Sequence, residues 1–184
     1  TGSTTLTNGL SSIEELAFSG LTSGNDTVTI NDSTISDNLV AAVFTDGVAG
    51  NGHTFDASAV LSSGNVVEFT DNPTTNVTYI VGNVVDAVSL GQGADTITVN
   101  TLAYLSSNDT LNGGQGGDTL SLAEDIGSDA SVGASQLSGL SGVETIDFAD
   151  SSSDDITLSL TIDDAVANAN ADSSDELTVT NSGN

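Results

Sequence analysis

Gly113-Gly114-Gln115-Gly116-Gly117-Asp118-Thr119-Leu120-Ser121 is the stretch that decides how this chain folds. It fits the nonapeptide pattern G-G-x-G-x-D-x-U-x, with U an apolar residue, at every fixed position. Leu90-Gly91-Gln92-Gly93-Ala94-Asp95-Thr96-Ile97-Thr98 fits too, except that Leu90 stands at the first glycine. Two degraded copies flank these: Tyr104–Asn112 keeps Asp109 and Leu111, and Val81–Ser89 keeps Gly82, Asp86 and Val88. Five residues, Val99–Ala103, separate the two pairs. In each nonapeptide six residues make a turn and three make a minimal strand, whose central apolar side chain points inward. Two nonapeptides complete one layer of a stack. Stacking Val81–Thr98 on Tyr104–Ser121 at an offset of 23 sets Asp86 against Asp109 and Asp95 against Asp118. The same offset sets Val88 against Leu111 and Ile97 against Leu120.

The turns have a chemistry of their own. Glycine permits positive φ, so backbone carbonyls can face a shared ion. The aspartate adds a charged ligand. Calcium accepts six to eight oxygens in flexible geometry, carbonyls included, whereas magnesium demands a tighter octahedron. The expectation is a calcium ion between Asp95 and Asp118, with carbonyls from the turns at Gly91, Gly93, Gly114 and Gly116. A weaker site is expected between Asp86 and Asp109, where glycines are missing. Plain Gly/Asp turns without an ion are the competing reading of the same residues. Ser23-Gly24-Asn25-Asp26-Thr27-Val28-Thr29 resembles half a nonapeptide, which makes Asp26 a further candidate ligand. Asp154-Asp155, Asp163-Asp164 and Asp172/Asp175/Glu176 read as solvated turns.

Composition leaves the chain without cationic side chains of its own. The 184 residues include 26 acids and no Lys, Arg, Cys, Met or Trp, a formal charge of −26. No Lys/Arg–carboxylate pair can form, so self-repulsion must be screened by water, salt or bound metal. Without a basic surface, nucleic acid is excluded as a direct electrostatic partner, and so is anionic lipid. Disulfides and thiolate metal sites are excluded as well. A secreted chain of this size can dispense with disulfides if metal ions do their work. No apolar stretch is long enough to cross a membrane, and no basic, apolar leader pattern is read. Hydrophobic residues at 36% suffice for a core, and aromatics at 4% suggest an aliphatic one.

Outward from the nonapeptides, the chain reads as short alternating runs ended by Gly, Asn or Asp: Thr27–Ile30, Val66–Phe69, Thr96–Val99, Thr145–Phe148, Leu158–Leu160 and Leu177–Val179. Thr, Val and Ile at period two read as strands. Runs this short suit an all-β parallel β-solenoid, a β-helix or β-roll. Two short helices are expected, at Ile13–Ala17 and at Asp163–Ala171, the latter with Asp163 as N-cap. Leu10–Phe18 matches Leu140–Phe148 at an offset of 130. The reading is one elongated domain over 1–184, a calcium-binding roll over 81–121, and a second copy of the opening, or an assembly region, over 137–184. His53, the only histidine, reads as a loop residue without a catalytic role.

These motifs resemble the RTX calcium-binding repeat family, and within it the RTX-type bacterial S-layer proteins and giant adhesins. The nonapeptides carry the resemblance. Phe55-Asp56-Ala57-Ser58-Ala59-Val60 upstream of them adds to it, as does Leu140-Ser141-Gly142-Val143-Glu144-Thr145-Ile146. The resemblance implies a β-solenoid that folds on calcium, export by a type I system and assembly outside the cell. The expected function is a non-catalytic, calcium-stabilised subunit of an extracellular assembly, a surface layer or a filament. Its expected partners are further copies of itself and calcium, with surface glycans as another candidate. The edge strands near Thr1–Leu6 and Leu177–Thr180 are the expected contacts. A calcium-dependent adhesin or carbohydrate- or ice-binding module is the alternative, as is the repeat tail of a secreted enzyme. Four N-x-[ST] sequons, at Asn25, Asn31, Asn76 and Asn108, are no more than chance would give.

Overall fold

The computed structural model describes residues 3–5, 16–18, 26–32, 42–44, 52–62, 66–70, 74–123, 129–149, 157–171 and 176–183. Residues Leu10–Glu15, Asn25, Asp154, Asp155, Asp172 and Asp175, which figure in the sequence reading, lie outside the described residues.

Among the described residues the fold is all-β with parallel sheets. An eight-stranded sheet runs β1 (Ser3–Thr5), β3 (Thr27–Asn31), β5 (Gly52–Ala59), β7 (Asn76–Ile80), β9 (Thr96–Val99), β11 (Thr119–Leu122), β14 (Thr145–Phe148) and β16 (Thr178–Asn181). A six-stranded sheet runs β13 (Leu140–Ser141), β10 (Thr110–Asn112), β8 (Val85–Ser89), β6 (Val66–Thr70), β4 (Ala42–Phe44) and β2 (Leu16–Phe18). β12 (Ala130–Val132) and β15 (Leu158–Leu160) pair separately. From β1 to β11, successive strands alternate between the two large sheets, and every strand pairing is parallel. The offset of 23 is the register found: Leu111 pairs with Val88, and Leu120 with Ile97.

Alternation builds the core. Val28, Phe55, Tyr79, Ile97, Leu120 and Ile146 are all buried and stack on successive strands of the large sheet, while their sequence neighbours face outward. Val67, Phe69 and Val88 close the core from the other sheet. The expectation of an aliphatic core fails at its middle. Phe55 stacks on Phe69 at 4.8 Å and on Tyr79 at 5.8 Å between ring centroids. The few rings are concentrated where their large buried area is most useful.

Two further expectations are corrected. Leu16-Ala17-Phe18 is a strand on the edge of the six-stranded sheet, not the end of a helix, because it has β4 to pair with. His53 lies in β5, not a loop, and is 1% exposed. The offset of 130 aligns Leu16–Phe18 with Ile146–Phe148, yet these strands belong to different sheets.

The expected C-terminal helix is present as α1 (Asp164–Asn170), with Asp163 accepting from Val166 N at 2.9 Å. It covers the edge of β13. The Asn170 side chain donates to Leu140 O and accepts from Val143 N, and Gly142 N donates to Ala169 O. A buried amide thus does the work of a next strand by pairing Leu140 O and Val143 N. The two edges of the eight-stranded sheet are β1 and β16, the strands named from sequence as contact edges. On β16, Val179 is 49% exposed.

Candidate metal sites in two columns of carboxylates

One position of the eight-stranded sheet concentrates the functional side chains. It is the residue just before the first outward threonine of each strand. The register aligns Asp26, His53, Val77, Asp95, Asp118 and Glu144 there. Strand pairing continues through it: Thr119 N donates to Asp95 O at 2.9 Å, and Thr145 N to Asp118 O at 3.0 Å.

Side chains cap this column in one direction. Asp95 Oδ1 accepts from Val77 N and Asp118 Oδ1 from Asp95 N, both at 2.8 Å. Glu144 Oε2 accepts from Asp118 N at 2.8 Å. His53 Nδ1 accepts from Asp26 N in the same way, at a longer 3.4 Å. Each side chain therefore serves a backbone N–H one strand away, and a neutral imidazole can replace a carboxylate for that purpose.

Capping uses one oxygen of each aspartate. Asp95 and Asp118 are 2% and 1% exposed, and the second oxygen, Oδ2, of each is buried without a hydrogen-bond partner. Burying half a carboxylate this way is costly unless a proton or a cation compensates it. Burial pushes the Asp95 carboxyl up to about 6. Burial, with the charges of Asp95 and Glu144 behind it, pushes Asp118 up to about 7.

The second column lies in the six-stranded sheet and brings Asp86 to Asp109. Asp109 Oδ1 accepts from Asp86 N at 3.2 Å, and its Oδ2 from Ser106 N at 2.7 Å. Asp86 is wholly buried, with the Tyr79 hydroxyl donating to Oδ1 and Oδ2 left without a partner. Burial pushes its carboxyl up to about 7. The same burial, and the Asp86 charge, push the Tyr79 hydroxyl well above its ordinary value. Asp109 has both oxygens engaged and is the poorer prospective ligand.

The glycines bring carbonyls to these turns. A β-carbon on Gly114, where φ is +99°, would lie 2.2 Å from Gly91 O and 2.5 Å from Leu90 O. One on Gly116 would lie 1.8 Å from Gly93 O. The carbonyls of the lower turn thus press on the upper glycines, as the nonapeptide spacing requires. The turn is not free of other demands, since Gly91 O accepts from Gln115 N at 2.8 Å.

Among the described residues, no three His, Cys, Asp or Glu side chains gather closely enough to hold a metal ion unaided. An ion here would draw on carbonyls as much as on carboxylates, a donor set that suits calcium. The geometry brings together Asp95 with Asp118 and Asp86 with Asp109. It leaves Asp26 apart, separated from Asp95 in the column by His53 and Val77. Sequence reasoning did not include Glu144, Tyr79 or His53 in either column. Glu144 stands in a motif of its own outside the nonapeptides, and only the register shows that it follows Asp118. No family model matches this chain, and neither curated proteins nor solved structures yield a match.

Proposed function

We propose that this chain is a parallel β-solenoid, stabilised by calcium, and a non-catalytic structural subunit of an extracellular assembly. One observation carries the reading: Asp86, Asp95 and Asp118 each bury a carboxylate oxygen without a partner, in a chain without Lys or Arg. The resemblance of the nonapeptides to RTX repeats supports calcium as the cation, and so does the mixed carbonyl–carboxylate donor set. Asp95 and Asp118 would hold the first ion with carbonyls of the flanking glycine turns; Asp86 would hold the second, with less help from Asp109. A site with Kd of roughly 0.1 mM in about 10 mM calcium adds about 2.7 kcal/mol to stability.

Assembly would use the edges of the eight-stranded sheet. β1 and β16 point the same way, so copies stacked head to tail would continue a parallel sheet and grow without closure. Neither β1 (Ser-Thr-Thr) nor β16 (Thr-Val-Thr-Asn) carries an acid, so the two edges can meet without like-charge repulsion between them. Circular dichroism and electron microscopy with and without chelator test this reading. In chelator the polymer should disperse and the strand signal should melt at a lower temperature, whereas both should withstand moderate sodium chloride. Intact polymer in chelator would end the proposal.

A second reading is favoured by one row of side chains. Thr27, Thr54, Thr78, Thr96, Thr119, Thr145 and Thr178 stand in register on seven adjacent strands of the large sheet. The row carries no charge in a chain of 26 acids. Its hydroxyls repeat at the strand spacing of about 4.8 Å, a regular array suited to ordered water. Phe55, Phe69 and Tyr79 are buried, which leaves those rings unable to stack on a sugar. Ice-crystal shaping by the wild type, abolished by Thr96→Lys with Thr119→Lys, is the expected result under this reading. Unchanged crystal growth in wild-type solutions removes it.

A further inference from the structure

We propose a second cation position on the large sheet, between β11 and β14, where the Asp118 carboxylate, the Gly142 carbonyl and the Glu144 carboxylate take a calcium-sized divalent ion. It rests on the reading of this chain as calcium-binding, and extends that chemistry to residues outside the nonapeptides.

Asp118 supplies the first ground. Its Oδ1 is taken by Asp95 N, so the buried, unpartnered Oδ2 is the oxygen still in need of a positive charge. Gly113 and Gly142 supply the second. A β-carbon on Gly113 would lie 2.9 Å from Asp118 Oδ2 and 2.1 Å from Gly142 O. Both oxygens therefore close against Gly113, which lets them approach each other by lacking a side chain. Gly142 reaches this arrangement at φ +59°, a conformation that side chains oppose.

Glu144 supplies the third. It follows Asp118 in the column, and its Oε2 accepts from Asp118 N at 2.8 Å. Two carboxylates thus stand on adjacent strands, and this chain has no Lys or Arg to offset them. Asp118 Oδ2 would bridge this ion and the one shared with Asp95, so that two ions together answer three carboxylates. Two carboxylates, a carbonyl and water form a hard, irregular oxygen set, which calcium tolerates better than magnesium.

The consequence reaches past the nonapeptides. Gly142 N is held by Ala169 O of α1, and Val143 N by Asn170. An ion against Gly142 and Glu144 would tie this capped edge to the nonapeptide block, so calcium would order the segment around β14 together with the turns below it.

Calcium stoichiometry of the full chain, measured by isothermal titration calorimetry on wild type, Asp95→Asn and Glu144→Gln, tests the proposal. Each variant should bind one ion fewer than wild type. Glu144→Gln binding as many ions as wild type at equal affinity, while Asp95→Asn loses one, would overturn this inference and leave the nonapeptide site standing. No calcium binding by wild type would sink both. Gln keeps an oxygen for Asp118 N, so the fold should survive the exchange. Wild-type protein labelled with carbon-13 at its six glutamates gives an independent reading. The Glu144 carboxyl resonance should move as calcium is added, and an unmoved signal at saturation would refute the proposal.

Discussion

Lowering the pH from about 8 to about 5 in the presence of chelator should stabilise this protein, the reverse of ordinary acid denaturation. The sign follows from burial. Asp86 and Asp118 are pushed up to about 7 and Asp95 to about 6, from an ordinary 3.8. Between about pH 4 and about pH 7 the folded chain therefore holds protons that the unfolded chain has released, and stability falls as pH rises through that window. Above it all three are ionised in both states, and the penalty is constant.

Asp86 alone, moved from 3.8 to about 7, is worth at most roughly 4 kcal/mol. Near pH 6 the three groups together hold about two extra protons in the folded state, a slope near 3 kcal/mol per pH unit. The neighbouring turn residues Gln92, Ala94, Gln115, Gly116 and Gly117 are exposed, and solvent that close to Asp95 and Asp118 lowers this figure. A third of it, about 1 kcal/mol per pH unit, still moves a urea midpoint by several tenths of a molar unit, since m is about 1–3 kcal/mol/M. The assay is urea unfolding followed by circular dichroism across the pH series, in chelator and in calcium. Calcium binds the ionised carboxylates, so saturating calcium should flatten or reverse the slope. Asp86→Asn keeps an oxygen for the Tyr79 hydroxyl, and should raise stability at pH 8 in chelator while shrinking the pH response. A midpoint in chelator that stays level or falls on acidification would refute the reasoning.

Two substitutions probe the frame around the sites. Gly114→Ala places a β-carbon 2.2 Å from Gly91 O at φ +99°, and should cost about 2 kcal/mol or more in urea unfolding. Asn170→Ala removes the donor to Leu140 O and the acceptor of Val143 N in a buried setting. A loss of roughly 2–3 kcal/mol is expected, with faster amide exchange in Leu140–Val143.

The part of the fold legible in sequence is the part where turn and strand have fixed lengths. Gly, Asp and an apolar residue at set places left one register for β8 to β11, and that register is present. Elsewhere the spacing between stacked strands varies from 18 residues, Thr78 to Thr96, to 33, Thr145 to Thr178. A search for a constant period cannot follow such a row of threonines. Glycines on both sides of Asn51 resemble a turn, yet β3 and β7 on either side hold the His53 segment as strand. Leu16-Ala17 has helical propensity but finds a sheet edge instead, a tertiary contact that outweighs a weak local preference.

The candidate sites were half legible for a related reason. Spacing tells which aspartates meet, but not which oxygen each has to spare. Asp109 and Asp118 occupy the same place in their nonapeptides, yet Ser106 N occupies the second oxygen of Asp109, while that of Asp118 has no partner. The difference lies in the turns: the glycine-poor turn before Asp109 folds back on its own carboxylate, whereas the glycine-rich turn before Asp118 does not. Glycine alone does not decide this, because backbone groups of Gly91 and Gly82 still reach Asp95 and Asp86; the path of the particular turn before Asp118 does.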